Sequence, residues 1–231
     1  MNPQALKIIS SMATKKLLGE LIHLYEQQRP NVSIHLESVG GVDAARRLQA
    51  GEALDGAVLA SDAIDKLMSS GHILTASRVD IVRSDVAIAV KQGTPLPDVS
   101  NEDAVRQAVL SARTIGYSTG PSGVQLAALF ERWGIAEEVK NKIVVPPPGV
   151  PVGSLVASGE VALGFQQLSE LMHLSGITVI GTLPPPIAIS TIFSCGVATA
   201  SKQPDAVRDL FAFLASPETA MPKRNNGMEP T

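Results

Sequence analysis

The chain has 231 residues, of which 45% are hydrophobic, 18% are charged and only 3% are aromatic, and its net charge is -3. A chain of this length can bury a large core in one domain or two. The lack of a basic excess and the scarcity of stacking rings argue against a nucleic-acid-binding protein, and the scarcity of rings also argues against a sugar cleft. No apolar run is long enough to cross a bilayer, and the one cysteine, Cys195, excludes an internal disulfide and a zinc site built from cysteine pairs.

The first third of the chain alternates between strand and helix patterns. Apolar runs predict strands at 5–9, 32–38 and 57–60. Helical spacing of apolar residues, bounded by capping residues and by Gly or Pro, predicts helices at 12–28, 43–49 and 61–70, with Asp43 as the cap of the second. This order indicates a mainly parallel sheet with helices on both faces.

A long extended stretch at 79–90 leads into a second series of the same kind. We expect helices at 101–112, 123–133, 153–158 and 205–215, with a further one beginning within 216–221. Strands or extended segments are expected at 113–118, 142–145, 161–165, 177–180 and 187–195, and a proline loop at 146–148.

The two series predict an α/β protein with two lobes. The first lobe comprises 1–84 and 191–231, and the second comprises 85–190. The chain would cross between them in strands near 84–90 and 187–194. Because ligands of such sheets bind beyond the carboxyl ends of the strands, we expect a ligand cleft between the lobes.

Hydroxyls and glycines are concentrated at three predicted strand-to-helix junctions. The first turn of a helix offers unpaired N–H groups and the positive end of its dipole, and therefore receives an anion without a formal positive charge. Ordinary caps and turns also explain each junction taken alone, but three equivalent ones favour an oxyanion or carboxylate site. The candidate ligand residues are Ser10, Ser11, Gly40, Gly41, Ser118, Thr119, Ser122 and Gly123.

Motifs for other chemistry are missing from the sequence. It contains no serine-hydrolase elbow, no phosphate-binding loop and no dinucleotide-binding turn. We expect neither a cofactor nor a metal, because the histidines lack the spacing of metal ligands: His23, His35, His72 and His173. Arg78 and Arg83 flank the crossing; either could bind a ligand carboxylate, or form an ion pair with Asp80 or Asp85.

Four stretches carry a resemblance to type II solute-binding proteins, most closely the molybdate-binding-like branch: IISSMAT (8–14), RRLQAGEALD (46–55), GEVALGFQQ (159–167) and NGMEP (226–230). The resemblance spans nearly the whole chain. It implies two mainly parallel sheets flanked by helices, two lobes that close on a small anion, and delivery of that anion to a membrane permease. A monomer that binds no nucleic acid is expected.

The resemblance also implies which residues contact the ligand. Ser10 and Ser11 match the first ligand position of molybdate binders, whereas glycines at 40 and 41 replace the serine-rich turn of the second. Gln166 or Gln167 stands where the family has a tyrosine. These replacements, with Arg78 nearby, suit a flatter ligand with more oxygens, such as an organic acid.

Enzymes similar to this branch provide the alternative function. Aconitate isomerase moves a proton between allylic carbons and needs a base beside a cleft that binds carboxylates. Ser10, Ser11, Tyr117, Ser118 or His72 could serve, and both a receptor and an isomerase remain open. The sequence begins without a recognisable secretory signal, so we expect a periplasmic protein if a signal was removed and a cytoplasmic one if the sequence as given is complete.

Overall fold

The computed structural model describes residues 5–147 and 150–231, so the end of the predicted proline loop, Pro148, lies outside the described residues. In chain order the strands are β1 (Leu6–Ser11), β2 (Ile34–Val39), β3 (Gly56–Ala60), β4 (Val79–Lys91), β5 (Ile115–Tyr117), β6 (Ile143–Val144), β7 (Leu163–Gln167), β8 (Ile177–Thr182), β9 (Ser190–Val197) and β10 (Met228–Pro230). The helices are α1 (Lys15–Gln28), α2 (Gly41–Gln49), α3 (Ser61–Ser69), α4 (Glu102–Ser111), α5 (Pro121–Arg132), α6 (Ala136–Val139), α7 (Val152–Ser158), α8 (Leu168–Leu171), α9 (Pro204–Ala215) and α10 (Ala220–Asn225). Among the described residues, no helix is both long and apolar enough to cross a membrane.

The chain forms two compact units. Unit 1 contains Met1–Arg83 and Ile192–Thr231, and unit 2 contains Ser84–Thr191. The chain leaves unit 1 within β4 and returns to it within β9, because both boundaries fall inside these strands.

Unit 1 is built on a parallel core of strands covered by helices on both faces. β1 pairs in parallel with β2 on one side and with β3 on the other, and β9 runs antiparallel to β3. Ile8 packs in one cluster with the buried face of α1, whereas the next residue, Ile9, packs on the opposite face with α2 and α3. Since β1, β2 and β3 are parallel, the helices that follow them all begin at the same edge of the sheet.

Unit 2 repeats this arrangement with a different strand order. β7 lies between β5, which is parallel to it, and β4, which is antiparallel, and β6 pairs in parallel with β5. Phe165 and Val86 pack on the face covered by α5, and Ala87 packs on the face covered by α7. The starts of α5, α7 and α8 therefore lie at one edge of this sheet, beyond the carboxyl ends of β5, β6 and β7.

The α/β class and the alternation of elements are confirmed, but several boundaries differ from the predictions. β7 covers Leu163–Gln167 rather than 161–165, because Gly159 ends α7 with a φ of 86° and the N–H of Val161 still bonds back to α7. This places both glutamines inside a strand. The predicted strand at 187–195 begins only at Ser190, after a 3-10 turn at Pro185–Ile187.

Candidate anion-binding site

A pair of serine hydroxyls marks the carboxyl edge of unit 1. Ser10 and Ser38 are register partners near the ends of β1 and β2, and their Oγ atoms lie 2.7 Å apart. Ser10 is fully buried. The Oγ of Ser11, one residue further on, accepts a hydrogen bond of 3.3 Å from the N–H of Ala13 and caps the 3-10 turn that leads into α1. Ser38 was not among the predicted ligand residues; its place at the end of a strand was the available signal.

The start of α2 leaves its backbone uncovered. Gly40 occupies the N-cap and Gly41 the first helical position, so α2 begins before Asp43, which lies in the first turn rather than at the cap. A Cβ added at Gly41 would meet no atom of the described residues within 4 Å. Asp43 forms an ion pair with Arg46 and is thereby partly neutralised. The first turn of α2 thus combines open space with N–H groups that no cap side chain covers.

The start of α5 holds the corresponding hydroxyl pair in unit 2. The Oγ atoms of Ser118 and Ser122 lie 3.2 Å apart. A Cβ added at Gly123 would stand 1.6 Å from the carbonyl oxygen of Ser118, so only glycine allows the loop after β5 to fold this closely over the helix. Thr119 is exposed in this loop. Four predicted ligand residues therefore come together around the first turn of α5.

The two glutamines of β7 have different surroundings, because successive strand residues point to opposite faces. The Oε1 of Gln166 accepts a 3.0 Å hydrogen bond from the N–H of Gly153 at the start of α7, and its Nε2 donates to Glu170. The Nε2 of Gln167 donates to the Oγ1 of Thr191 at 2.9 Å, and its Oε1 has no partner among the described residues. Of the two, Gln167 has the free hydrogen-bonding capacity that a ligand contact requires.

Glu170 is a candidate that sequence reasoning missed. It lies in α8, directly beyond the carboxyl end of β7, and burial raises the pKa of its carboxyl group to about 7, although the hydrogen bond from Gln166 opposes this shift. A carboxyl group with a pKa near neutrality can both take up and release a proton at physiological pH. An acidic residue in the first turn of a helix is common, so the sequence offers no signal that singles it out.

The structure does not support three residues that the sequence offers for the site: Arg78 as a ligand residue, and His72 and Tyr117 as bases. The guanidinium of Arg78 bonds to the carboxylates of Asp65 and Asp80, at 2.7 and 2.9 Å. Arg78 therefore forms the ion pair that was the alternative to a ligand contact. His72 follows the end of α3 rather than its start and is therefore at the opposite edge of unit 1 from Ser10. Burial raises the pKa of Tyr117 above its ordinary value of 10, so its phenol is protonated at neutral pH and cannot take up a further proton there.

His72 lies in a small pocket of unit 1 with a volume of about 230 Å³, lined by the end of α2 and the residues after α3 and β9. Thr199, another lining residue, uses its hydroxyl to donate to the carbonyl of Gly71. This pocket is separate from the hydroxyl-lined edge.

The family model described as bacterial extracellular solute-binding protein matches residues 6–229. The chain belongs to this family. It is 40% identical over 185 residues to an aconitate isomerase from Pseudomonas sp, and the match covers 80% of this chain and 70% of that relative.

Solved structures show the fold of this solute-binding protein. The periplasmic molybdate-binding protein of Azotobacter vinelandii is similar with a TM-score of 0.79 and 16% identity, covering 96% of this chain and 98% of that one. The sulfate-binding protein SubI of Mycobacterium tuberculosis H37Rv has a TM-score of 0.80 and 13% identity, covering 99% and 88%. The resemblance to the type II solute-binding fold is therefore confirmed, whereas the cleft between lobes and the set of ligand residues stay predictions.

Proposed function

We propose that this solute-binding protein binds a small organic anion with several carboxylates at the strand carboxyl edges of its units. The observation that carries the proposal is the presence of paired serine hydroxyls beside helix starts: Ser10 with Ser38 in unit 1, and Ser118 with Ser122 in unit 2. Hydroxyls and the free N–H groups of a first turn stabilise an anion by hydrogen bonding and by the helix dipole.

The surroundings of these hydroxyls favour carboxylates over a compact tetrahedral oxyanion. Gly41 leaves open space beside α2 where a serine-rich turn would reach in toward a small ligand, and a Cβ at Gly40 would meet only the carboxylate of Asp43, at 3.5 Å. In unit 2, Gln167 brings a planar amide to the end of β7, which matches the planar geometry of a carboxylate. The relative with 40% identity is named for aconitate, a compound with three carboxylates.

The family supports the role of a receptor outside the cytoplasmic membrane. Since the matching model describes extracellular solute-binding proteins, we infer that the chain hands its anion to the permease of an ABC-type transporter.

The binding proposal is tested by thermal unfolding of the purified protein with citrate, cis-aconitate, trans-aconitate, molybdate and sulfate. At a ligand concentration of 100 Kd, binding to the native state adds about 2.7 kcal/mol of stability, which corresponds to a rise in Tm of about 5–10 °C for a chain of this size. A shift with the carboxylates and none with the oxyanions supports the proposal. A shift with molybdate or sulfate alone contradicts it.

The second candidate function is isomerisation of a bound aconitate, and two observations favour it. One is the relative named aconitate isomerase, and the other is Glu170, whose carboxyl group has a pKa of about 7. In this reaction a base removes a proton from the methylene carbon, the double bond moves by one position, and the same proton or one from water is added to the former vinylic carbon. We propose that Glu170 carries this proton, with the N–H groups of the helix starts stabilising the charge that develops on the carboxylates.

The two candidates are separated by mixing the protein with cis-aconitate and following the appearance of trans-aconitate by NMR in D₂O. Binding without turnover supports the receptor, and turnover supports the isomerase; deuterium in the product shows that the abstracted proton exchanges with water before it is returned. In the second case Glu170→Gln should lower kcat by about 100-fold or more, the usual contribution of a general acid–base group, while the Tm shift with trans-aconitate is retained. Turnover by Glu170→Gln at the wild-type rate would exclude Glu170 from the reaction.

A further inference from the structure

Three buried polar atoms of unit 2 have no hydrogen-bond partner among the described residues, and two of them belong to residues that are almost completely buried. These two are the Oγ of Ser84, a residue only 1% exposed, and the Oε1 of Gln167, a residue 4% exposed. The third is the Nε of Arg106, a half-buried residue. Buried polar atoms in folded proteins are nearly always paired, because removal from water without a partner costs about 1–3 kcal/mol. The Oγ of Ser84 and the Oε1 of Gln167 therefore each need a partner that the described part of the chain does not supply.

Strand register places these two residues on the same face of the sheet. In the antiparallel pair of β4 and β7, Gln167 is directly opposite Val86. Ser84 precedes Val86 by two residues on β4, and residues two apart on a strand point to the same side. Ser84 and Gln167 are thus diagonal neighbours, at a separation that side chains can bridge.

Thr191 adds a third polar group to this face. The N–H of Val86 donates to the carbonyl of Ile189 at 2.9 Å, and the hydroxyl of Ser190 donates to the carboxylate of Asp85 at 2.5 Å. Val86 is thus aligned with Ile189, and Asp85 with Ser190. The next pair in this antiparallel alignment places Thr191 beside Ser84. The Oγ1 of Thr191 already bonds to the amide of Gln167.

The same face carries α5. Phe165 precedes Gln167 by two residues on β7, and its ring lies 6.5 Å from the ring of Phe130 in α5. Because Tyr117 pairs with Phe165 in the register of β5 and β7, the residues that follow Tyr117 approach the level of Gln167. The three polar side chains thus lie at the carboxyl edge on the side where α5 begins.

This cluster has the donors that a carboxylate needs. The hydroxyl of Thr191 can donate as well as accept a hydrogen bond. When the amide of Gln167 turns by 180°, this hydroxyl donates to the Oε1, and the Nε2 becomes free to donate to a ligand. The hydroxyl of Ser84 is a second free donor. We propose that Ser84 and Gln167, held in place by Thr191, bind one carboxylate of the organic anion. The inference rests on the proposed binding function and names a subsite within it.

The test compares the wild type with Ser84→Ala, measuring the Tm of the free protein and the Kd for citrate and trans-aconitate by calorimetry. Because the Oγ of Ser84 has no partner among the described residues and its unpaired burial is unfavourable, its removal should raise the Tm or leave it unchanged, and should not lower it. The loss of one hydrogen bond to a charged ligand should weaken the Kd about 10- to 100-fold. Gln167→Leu should weaken the Kd by at least as much, and Thr191→Ser, which keeps the hydroxyl, should bind like the wild type.

A matched control is Ser194→Ala, which removes another buried serine hydroxyl. The Oγ of Ser194 donates to the carboxylate of Asp80 at 2.6 Å, so this variant should lower the Tm and leave the Kd unchanged. If Ser84→Ala instead lowers the Tm with an unchanged Kd, the cluster holds only a structural water and the inference is overturned. If the wild type binds neither carboxylate, the proposed function itself fails, and the subsite with it.

Discussion

Replacing Glu170 by glutamine should stabilise the protein at alkaline pH and leave it almost unchanged at acidic pH. Burial raises the pKa of Glu170 from an ordinary value of 4.5 to about 7 in the folded state. An acid whose pKa is raised by folding binds its proton more tightly in the native state, so the wild type is at its full stability below pH 4.5 and loses stability as the pH rises through about 7. A glutamine side chain at this position cannot ionise and avoids the loss.

The size of the effect follows from the difference between the two pKa values. At about 1.4 kcal/mol for each pKa unit, a rise from 4.5 to about 7 corresponds to roughly 3 kcal/mol. This value is an upper bound, because the side chain is only half-buried and water screens part of the charge. Above pH 8 we therefore expect the variant to be more stable than the wild type by about 1–3 kcal/mol, with a difference that approaches zero near pH 4.5.

Urea unfolding of the wild type and the Glu170→Gln variant between pH 4.5 and pH 8.5 measures this difference. Glu160→Gln, a change of an exposed glutamate in the same unit, is the control and should follow the wild type at every pH. If the free-energy difference between the Glu170→Gln variant and the wild type does not change with pH, Glu170 titrates as it does in water. Its proposed part in proton transfer would then lose its physical basis.

Two further predictions concern the hydroxyl-bearing helix starts. Gly123→Ala should destabilise the protein by about 1–3 kcal/mol or more, because the new Cβ would collide with the carbonyl of Ser118. Gly41→Ala is the control, because the space at this position is open. Its free energy of unfolding in the same urea titration should be within about 0.5 kcal/mol of the wild-type value. Ser10→Ala should cost about 1–3 kcal/mol by removing the hydroxyl bonded to Ser38. An equal loss of stability for Gly123→Ala and Gly41→Ala, or an unchanged urea midpoint for Ser10→Ala, would contradict these assignments.

Local patterns in the sequence were sufficient for the order of the longer strands and helices, but they did not predict the short elements α6, α8 and β10. The apolar face of α1 repeats every three to four residues, and apolar residues predominate in β4 on both sides of the exposed Arg83, so the hydrophobic pattern is sufficient to predict these two elements. The gathering of hydroxyls at the start of α5 also follows from local chain order, since a helix that comes after a parallel strand must begin at the carboxyl edge of the sheet.

Partners that are distant in the sequence decided the roles of the individual side chains. Nothing local distinguishes Gln166 from Gln167; their roles differ because β7 pairs with β4 and turns one glutamine toward α7 and the other toward Thr191. The spacing around Arg78 is equally compatible with a ligand contact and an ion pair, and the carboxylate of Asp65, on another element, decides for the ion pair. The sequence by itself therefore determined the longer elements, through their periodicity, and the helix starts that would offer hydroxyls. Only the tertiary structure decided which polar atoms are already paired and which still lack a partner, because pairing depends on strand register and not on spacing along the chain.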